Sequence, residues 1–290
     1  TQPWSWIPAP PEARRHRIQL HWDGAALGYH QRHSHVLVPV QACPAAADPL
    51  SEALPRLLDA LVGRALPARP GRWELSTGTP ASRVWATDEK GRTWELEPDG
   101  WHRSESPITH RIGDLRLSHE PGAFFQVAAP WAAQAFGDLL RGWDLRGDTL
   151  YDLYGGVGLF SALLGDRFAR RVLVESGEAA VAWAARNLEA ADLPSSCLVA
   201  DVAAWVPEAL GSAADLILLD PPRAGLEPEL CERLNGAQAG TLVLVGCEGA
   251  AFCRDLRRLD AGWRLEQLAV LDLFPMTPHV ECVGLLRRRA

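Results

Sequence analysis

A doubly wound α/β domain preceded by a smaller α+β domain is the fold class that the sequence predicts. Three observations predict it. After residue 120 apolar strand-like runs alternate with helix-like runs, the sequence form of a parallel sheet. The first of those strands ends in a glycine-rich turn, and the next ends in an acidic residue. Residues 1–120 instead read as short β-type segments and turns interrupted by one helix. The domains are therefore expected at 1–120 and 121–290.

In the first half, strands are expected at 17–22, 36–40, 72–76, 83–87 and 93–96, with turns at Asp23-Gly24 and Glu89-Lys90-Gly91. Leu54, Leu57, Leu58, Leu61, Val62 and Leu66 recur at helical spacing, so a helix is expected over 51–66 with Ser51 as its cap. In the second half, strands are expected at 149–153, 171–175, 197–200, 215–220 and 241–246. Helices are expected between them at 130–143, 178–190 and 227–234.

Composition bounds the function. The chain has 290 residues, 47% of them hydrophobic and 22% charged, ordinary values for a globular protein. No apolar run approaches the roughly 18 residues that a membrane-spanning helix needs, so no membrane role is expected. The first residues carry no basic segment followed by an apolar one, and a cytoplasmic location is expected. The chain opens on Thr1 without an initiator Met, which leaves an upstream segment open. The net charge of −7 falls entirely after residue 120, so the first part repels a polyanion less. The six cysteines are scattered without a CxxC pair, against a zinc site or a disulfide framework. Oligomeric state stays open.

Ligands of a doubly wound sheet gather at the carboxyl ends of its strands. There the sequence places Asp152-Leu153-Tyr154-Gly155-Gly156-Val157-Gly158, in which Gly156 and Gly158 let the backbone turn tightly against a ligand. Glu175 closes the next strand and is suited to accept hydrogen bonds from a ribose. Together they imply an adenosine-containing ligand; a nicotinamide dinucleotide is the rival, disfavoured by Ser161 in place of the third fingerprint glycine. Asp220-Pro221-Pro222-Arg223 follows the next apolar strand, and the prolines hold Asp220 and Arg223 on a stiff path. Cys247, flanked by Gly246 and Gly249, stands at another strand end as a candidate nucleophile. A thiol of ordinary pKa is only about 3% ionised at neutral pH, a handicap of about 2 kcal/mol that Arg223 is expected to offset. His279 and Glu281 open the last strand.

These residues carry a resemblance. Pro121 to Val127 resembles the FFQ(V/T)N segment, and 152–158 the DLYCGVG-type cofactor motif, of the class I S-adenosylmethionine-dependent RNA 5-methyluridine methyltransferases. Asp220 to Gly225 resembles their DPPR(A/K)G motif, Gly246-Cys247 their nucleophile turn, and Phe274 to Glu281 their FPxTxHxE ending. The resemblance implies a Rossmann-like methyltransferase domain using S-adenosyl-L-methionine on a uridine of tRNA or rRNA. Cys247 would attack uracil C6 and Glu281 would remove the C5 proton. Gln126, Tyr154, Glu175, Asp201 and Asp220 would contact the cofactor, and Arg223 and His279 the substrate.

The sequence also departs from the family pattern. Leu159 and Ala128 each replace an Asn, and Glu248-Gly249 replaces Asn-Pro beside the nucleophile, where a negative charge is expected to raise the thiol pKa. No OB-like RNA-binding domain is visible. No iron–sulfur cluster is expected, because Cys43 stands alone where a cluster needs about four ligands. RNA contact is then expected from the first half, through Arg14, Arg15, His16, Arg17, Arg32, His33 and His35 interleaved with Trp22 and Tyr29. A degenerate relative that binds RNA or cofactor without turnover, and a methyltransferase of another substrate on the same fold, are the alternatives.

Overall fold

The computed structural model describes residues 4–289 except His33, 210–213 and Pro275, with the backbone alone at 206–209. Along the chain run β1 (Trp4–Ile7), β2 (Arg17–Trp22), β3 (Leu27–His30), β4 (Leu37–Pro39), α1 (Asp48–Val62) and β5 (Gly71–Thr77). Next come β6 (Val84–Asp88), β7 (Thr93–Glu97), β8 (Gly100–Arg103), β9 (Ile108–Ile112), β10 (Leu115–His119), α2 (Ala129–Gly142) and β11 (Gly147–Leu153). Then follow α3 (Leu159–Leu164), β12 (Phe168–Glu175), α4 (Glu178–Ala190), β13 (Ser195–Val199), α5 (Val202–Ala209) and β14 (Ala214–Leu219). The last are α6 (Pro228–Gly236), β15 (Ala239–Gly246), α7 (Gly249–Leu259), β16 (Trp263–Leu271) and β17 (Glu281–Arg288).

The chain divides into two units. One holds Glu12–Asp114 and Ser118–Pro130; the other holds Thr1–Pro11, Leu115–Leu117 and Trp131–Ala290. The division is more interleaved than a cut after residue 120, because β1 pairs in parallel with β16, some 260 residues away in sequence.

In the first unit a sheet of order β4-β3-β2-β5-β6-β7-β8 backs onto α1. Leu50, Leu54, Leu57 and Leu61 are buried along one stripe of α1 and pack with Ile18, Leu20, Trp22, Trp73 and Leu75. This helix begins three residues before the expected Ser51 cap: Pro49 lies in its first turn, where a missing N–H costs nothing. The Ser51 hydroxyl instead accepts the N–H of Cys43. Leu66 is buried, but past the helix end.

In the second unit the sheet order is β1-β16-β17-β15-β14-β11-β12-β13. Every pairing is parallel except those of β17 with β15 and β16. Two apolar clusters cover the sheet. One includes Phe136, Leu140 and Phe160 from α2 and α3, the other Leu230, Leu234 and Phe252 from α6 and α7. Ladder and layers together fix the carboxyl ends of five parallel strands along one edge. No helix of the described residues is long and apolar enough to cross a membrane.

Candidate active site

The strand registers set that edge residue by residue. Gly246 of β15 pairs with Cys282 of β17, so Cys247 and Glu281 are the next positions outward on adjacent strands. Leu219 pairs with both Leu244 and Leu153, which puts Asp220 beside Cys247's strand on one side and Tyr154's on the other. Asp220 N–H donates to Leu153 C=O at 3.3 Å. Val174 pairs with Leu153, and Glu175 with Val199, so Glu175 and Asp201 continue the row. Glu281, Cys247, Asp220, Tyr154, Glu175 and Asp201 thus line one edge in the order of the strands.

The turn after β11 is built around two left-handed glycines, Gly156 (φ 52°) and Gly158 (φ 91°). A Cβ on Gly156 would meet nothing within 4 Å, so this side of the turn is open. Tyr154 is also left-handed, and its hydroxyl donates to Glu227 at 3.3 Å. Glu175 Oε2 accepts the Gly156 N–H at 3.3 Å, while Oε1 accepts the Gly177 N–H at 2.8 Å. Asp201 caps α5 by accepting the Ala204 N–H at 3.0 Å.

Three residues that the sequence did not single out as functional hold this turn and the next. Asp152, fully buried, accepts both the N–H and the hydroxyl of Ser161 through Oδ2, at 3.0 and 2.6 Å. Its Oδ1 is buried without a hydrogen-bond partner. Asn187 on α4 donates to the Val157 carbonyl at 2.9 Å. Asp255 on α7 accepts the Leu226 N–H at 2.8 Å and braces the Asp220-to-Gly225 loop. Only a glycine fits at position 225, because its φ is 78° and a Cβ would lie 2.1 Å from an Asp255 oxygen. A spacing signal existed for Ser161 alone, at the missing fingerprint glycine.

Electrostatics around the thiol are acidic. Burial raises the Cys247 thiol above its ordinary value, Glu281 and Asp220 push it further, and Arg223 opposes them. Arg223 therefore offsets only part of the handicap that the sequence assigned to it. The carboxylates that act on the thiol are Glu281 and Asp220, whereas the peptide of Glu248 starts α7, its carbonyl accepting the Phe252 N–H at 2.9 Å. Glu281 is only 3% exposed, and burial followed by the charge of Asp220 holds its carboxyl well above the usual range, with Arg223 again opposing. Asp220 is raised by burial and by Asp152. A half-buried thiol with a buried carboxyl at the neighbouring strand end can serve as a nucleophile and a proton acceptor.

His279 is exposed in the loop before β17, edge-on to Phe274 with ring centroids 6.2 Å apart. Pro275 of that motif, like His33 of the basic stretch, lies outside the described residues.

The remaining assigned residues belong to the first unit. Gln126 is buried there. Arg32 is exposed and Arg14 and Arg15 are half-buried. Arg17 is ion-paired with Glu74 at 2.7 Å and lies over the Phe124 ring at 5.9 Å. Trp22 is a correction: it is 3% exposed in the core, its indole N–H donating to Ala68, and offers no face to a base. Tyr29 packs against the same core and donates to the Cys43 thiol at 3.4 Å.

A doubly wound sheet with a glycine turn and an acidic strand end on one edge has the form of a nucleoside-cofactor-binding domain. The comparisons with known proteins make this specific. A family model described as tRNA (Uracil-5-)-methyltransferase matches residues 209–289. The chain is 35% identical over 181 residues to tRNA (uracil(54)-C(5))-methyltransferase of Pyrococcus abyssi, covering 62% of this chain and 42% of that protein. It is 33% identical over 303 residues to an uncharacterized RNA methyltransferase of Streptomyces avermitilis, covering 96% of this chain and 68% of that one. It is 30% identical over 309 residues to 23S rRNA (uracil(1939)-C(5))-methyltransferase RlmD of Chromohalobacter salexigens, covering 95% and 64%. The crystal structure of the Pyrococcus abyssi tRNA (uracil-54, C5)-methyltransferase in complex with S-adenosyl-L-homocysteine matches with a TM-score of 0.78 and 26% identity, over 97% of this chain and 78% of that one. The chain belongs to the RNA uracil-C5 methyltransferase family. It spans 42% to 68% of the length of these curated relatives.

Proposed function

We propose that this chain methylates C5 of a uridine in a structured RNA, a tRNA or an rRNA, with Cys247 as nucleophile and Glu281 as base. The observation that carries the reading is the placement of Cys247 and Glu281 as outward neighbours on β15 and β17, with Arg223 acting on both. The donor set fits S-adenosylmethionine: the turn is open at Gly156, and Glu175 presents a carboxylate suited to vicinal hydroxyls. Strands about 4.8 Å apart put Glu175 about 14 Å from Cys247 along the edge, room for a nucleoside with a short chain. Tyr154, Gly158, Asp201 and Asp220 would complete the cradle, and Gln126 is carried over from the family motif. When bound, the cofactor supplies an electrophilic methyl group on a sulfonium.

Uracil C5 is a poor nucleophile, and Cys247 corrects this. The thiolate forms a bond from Sγ to C6, the C5–C6 π pair moves into the C4 carbonyl as an enolate, and C5 would then bond the methyl as its bond to the sulfonium sulfur breaks and a neutral thioether is left. Glu281 then takes the C5 proton, and the returning electron pair expels the thiolate. A positioned base of this kind typically contributes about 10²–10⁴-fold. The target base must leave its stack to reach the sheet edge, and Arg223, His279 and the cations of the first unit, Arg14, Arg15, Arg17 and Arg32, are the proposed RNA contacts.

Labelled-methyl transfer to total RNA lacking 5-methyluridine tests the reading. Label is expected in 5-methyluridine with the intact protein and not with Cys247→Ala, and the size of the labelled RNA identifies the substrate. Transfer that survives Cys247→Ala would point to another methylation chemistry. Binding without transfer would make the protein a degenerate relative.

A further inference from the structure

Strand β1 brings two large aromatic side chains to the free edge of the second unit's sheet. Trp4 and Trp6 are 67% and 48% exposed, and they pair in register with Leu268 and Val270 of β16. Ile7 packs with the α2-side cluster, so strand alternation places both tryptophans on the opposite face, that of Leu268 and Val270. A bulge between Leu265 and Gln267 keeps Leu265 on this face as well. Leu265 borders a cavity of about 300 Å³ whose rim carries Arg257, Arg264 and Arg289. Arg289 is paired with Asp260, and among the described residues Arg257 and Arg264 are exposed and have no carboxylate partner.

We infer that this face binds a single-stranded segment of the RNA substrate, one base entering between Trp4 and Trp6 and the neighbouring phosphates lying toward Arg257. The inference rests on RNA being the substrate. Side chains two residues apart on a strand are separated by about 6.7 Å, twice the rise of about 3.4 Å between stacked bases, so the pair forms a slot one base thick. The rim is cationic, and its one acid is already paired with Arg289, which favours a polyanion over an acidic or apolar protein face. Flat indole faces grip any base, so the contact should be tolerant of sequence and strongly dependent on salt.

The test is the affinity of the 290-residue protein for a fluorescent single-stranded RNA oligonucleotide. It compares the parent with Trp4→Ala/Trp6→Ala, Trp4→Phe/Trp6→Phe and Arg257→Ala, each checked for an unchanged melting temperature. The double alanine variant is expected to bind about tenfold more weakly or worse, and the double phenylalanine variant to recover most of the loss. Arg257→Ala should flatten the salt dependence by about 0.7 in logarithmic slope. Unchanged affinity in the double alanine variant overturns the inference. So does a parent that self-associates through this face, seen as a sedimentation shift lost in the alanine variant. Covalent trapping on 5-fluorouridine RNA, run in parallel, separates the two readings. Normal trapping with unchanged affinity sinks the tryptophan site alone, whereas tryptophan-dependent binding without trapping sinks the uracil chemistry alone.

Discussion

At the scale of single residues, the site is a contest between burial and Arg223. Burial, Glu281 and Asp220 all raise the Cys247 thiol, so the thiolate needed for attack is present only as pH climbs toward the raised value. The rate of methyl transfer, as kcat/KM, should therefore rise across neutral pH into the alkaline range. Arg223→Ala removes the cation that favours both ionised groups, and its rising limb should move to higher pH; a limb that stays in place would show that Arg223 does not act on the pair. Asp152 makes a second prediction, through stability. Burial first, then the charge of Glu175, raises its carboxyl from 3.8 to about 6, against two hydrogen bonds from Ser161. Between those values the folded protein holds a proton that the unfolded chain has released. Stability therefore falls as pH rises through the window, by roughly 3 kcal/mol once above it. Asp152→Asn should melt higher than the parent at pH 8 and show no such gain near pH 4. Equal differences at the two pH values would contradict the assignment.

At the scale of elements, the parts that local periodicity specifies were legible in the sequence, and those specified by distant partners were not. The helix expected at 178–190 runs over Glu178–Ala190, because its buried Val181, Ala184 and Leu188 follow the helical repeat. Strand ends at Tyr154, Glu175, Asp220 and Cys247 were legible because apolar runs stop there at glycine, proline or acid. β1 carries no such mark: four residues with two exposed tryptophans gain a ladder only from β16. The antiparallel course of β17 is likewise invisible in its own residues. Trp22 was misread although the signal was present, since Ile18, Leu20 and Trp22 alternate onto one buried face. Two substitutions separate site from scaffold. Gly225→Ala sets a Cβ against Asp255 at a positive φ, and should cost most of the methyl transfer by displacing the loop that carries Asp220 and Arg223. Leu57→Ala, in the fully buried stripe of α1, should cost about 2–5 kcal/mol in denaturant unfolding. A Gly225→Ala protein with parental activity would remove the loop from the site.

At the scale of the whole molecule, one sheet edge collects residues from across the second unit, from Tyr154 to Glu281, and the registers give them a lateral order that sequence spacing could not. On the proposed function, that order would run from a nucleoside-binding end at Glu175 to a nucleophile and base at Cys247 and Glu281. The match to the Pyrococcus abyssi structure spans 97% of the chain, so the first unit shares in the likeness as well. The central claim is that Cys247 forms a bond to uracil C6 and that Glu281 must then remove a proton from C5. The most direct measurement incubates the protein with S-adenosylmethionine and RNA in which 5-fluorouridine replaces uridine, because fluorine at C5 cannot leave as a proton. A denaturation-resistant protein–RNA band is expected with the parent, and none with Cys247→Ala. With ordinary RNA, Glu281→Gln should accumulate the corresponding adduct, which keeps hydrogen at C5. Methylation of ordinary RNA at C5 without any trapped complex on the fluorinated RNA, or a complex that persists in Cys247→Ala, would contradict the mechanism.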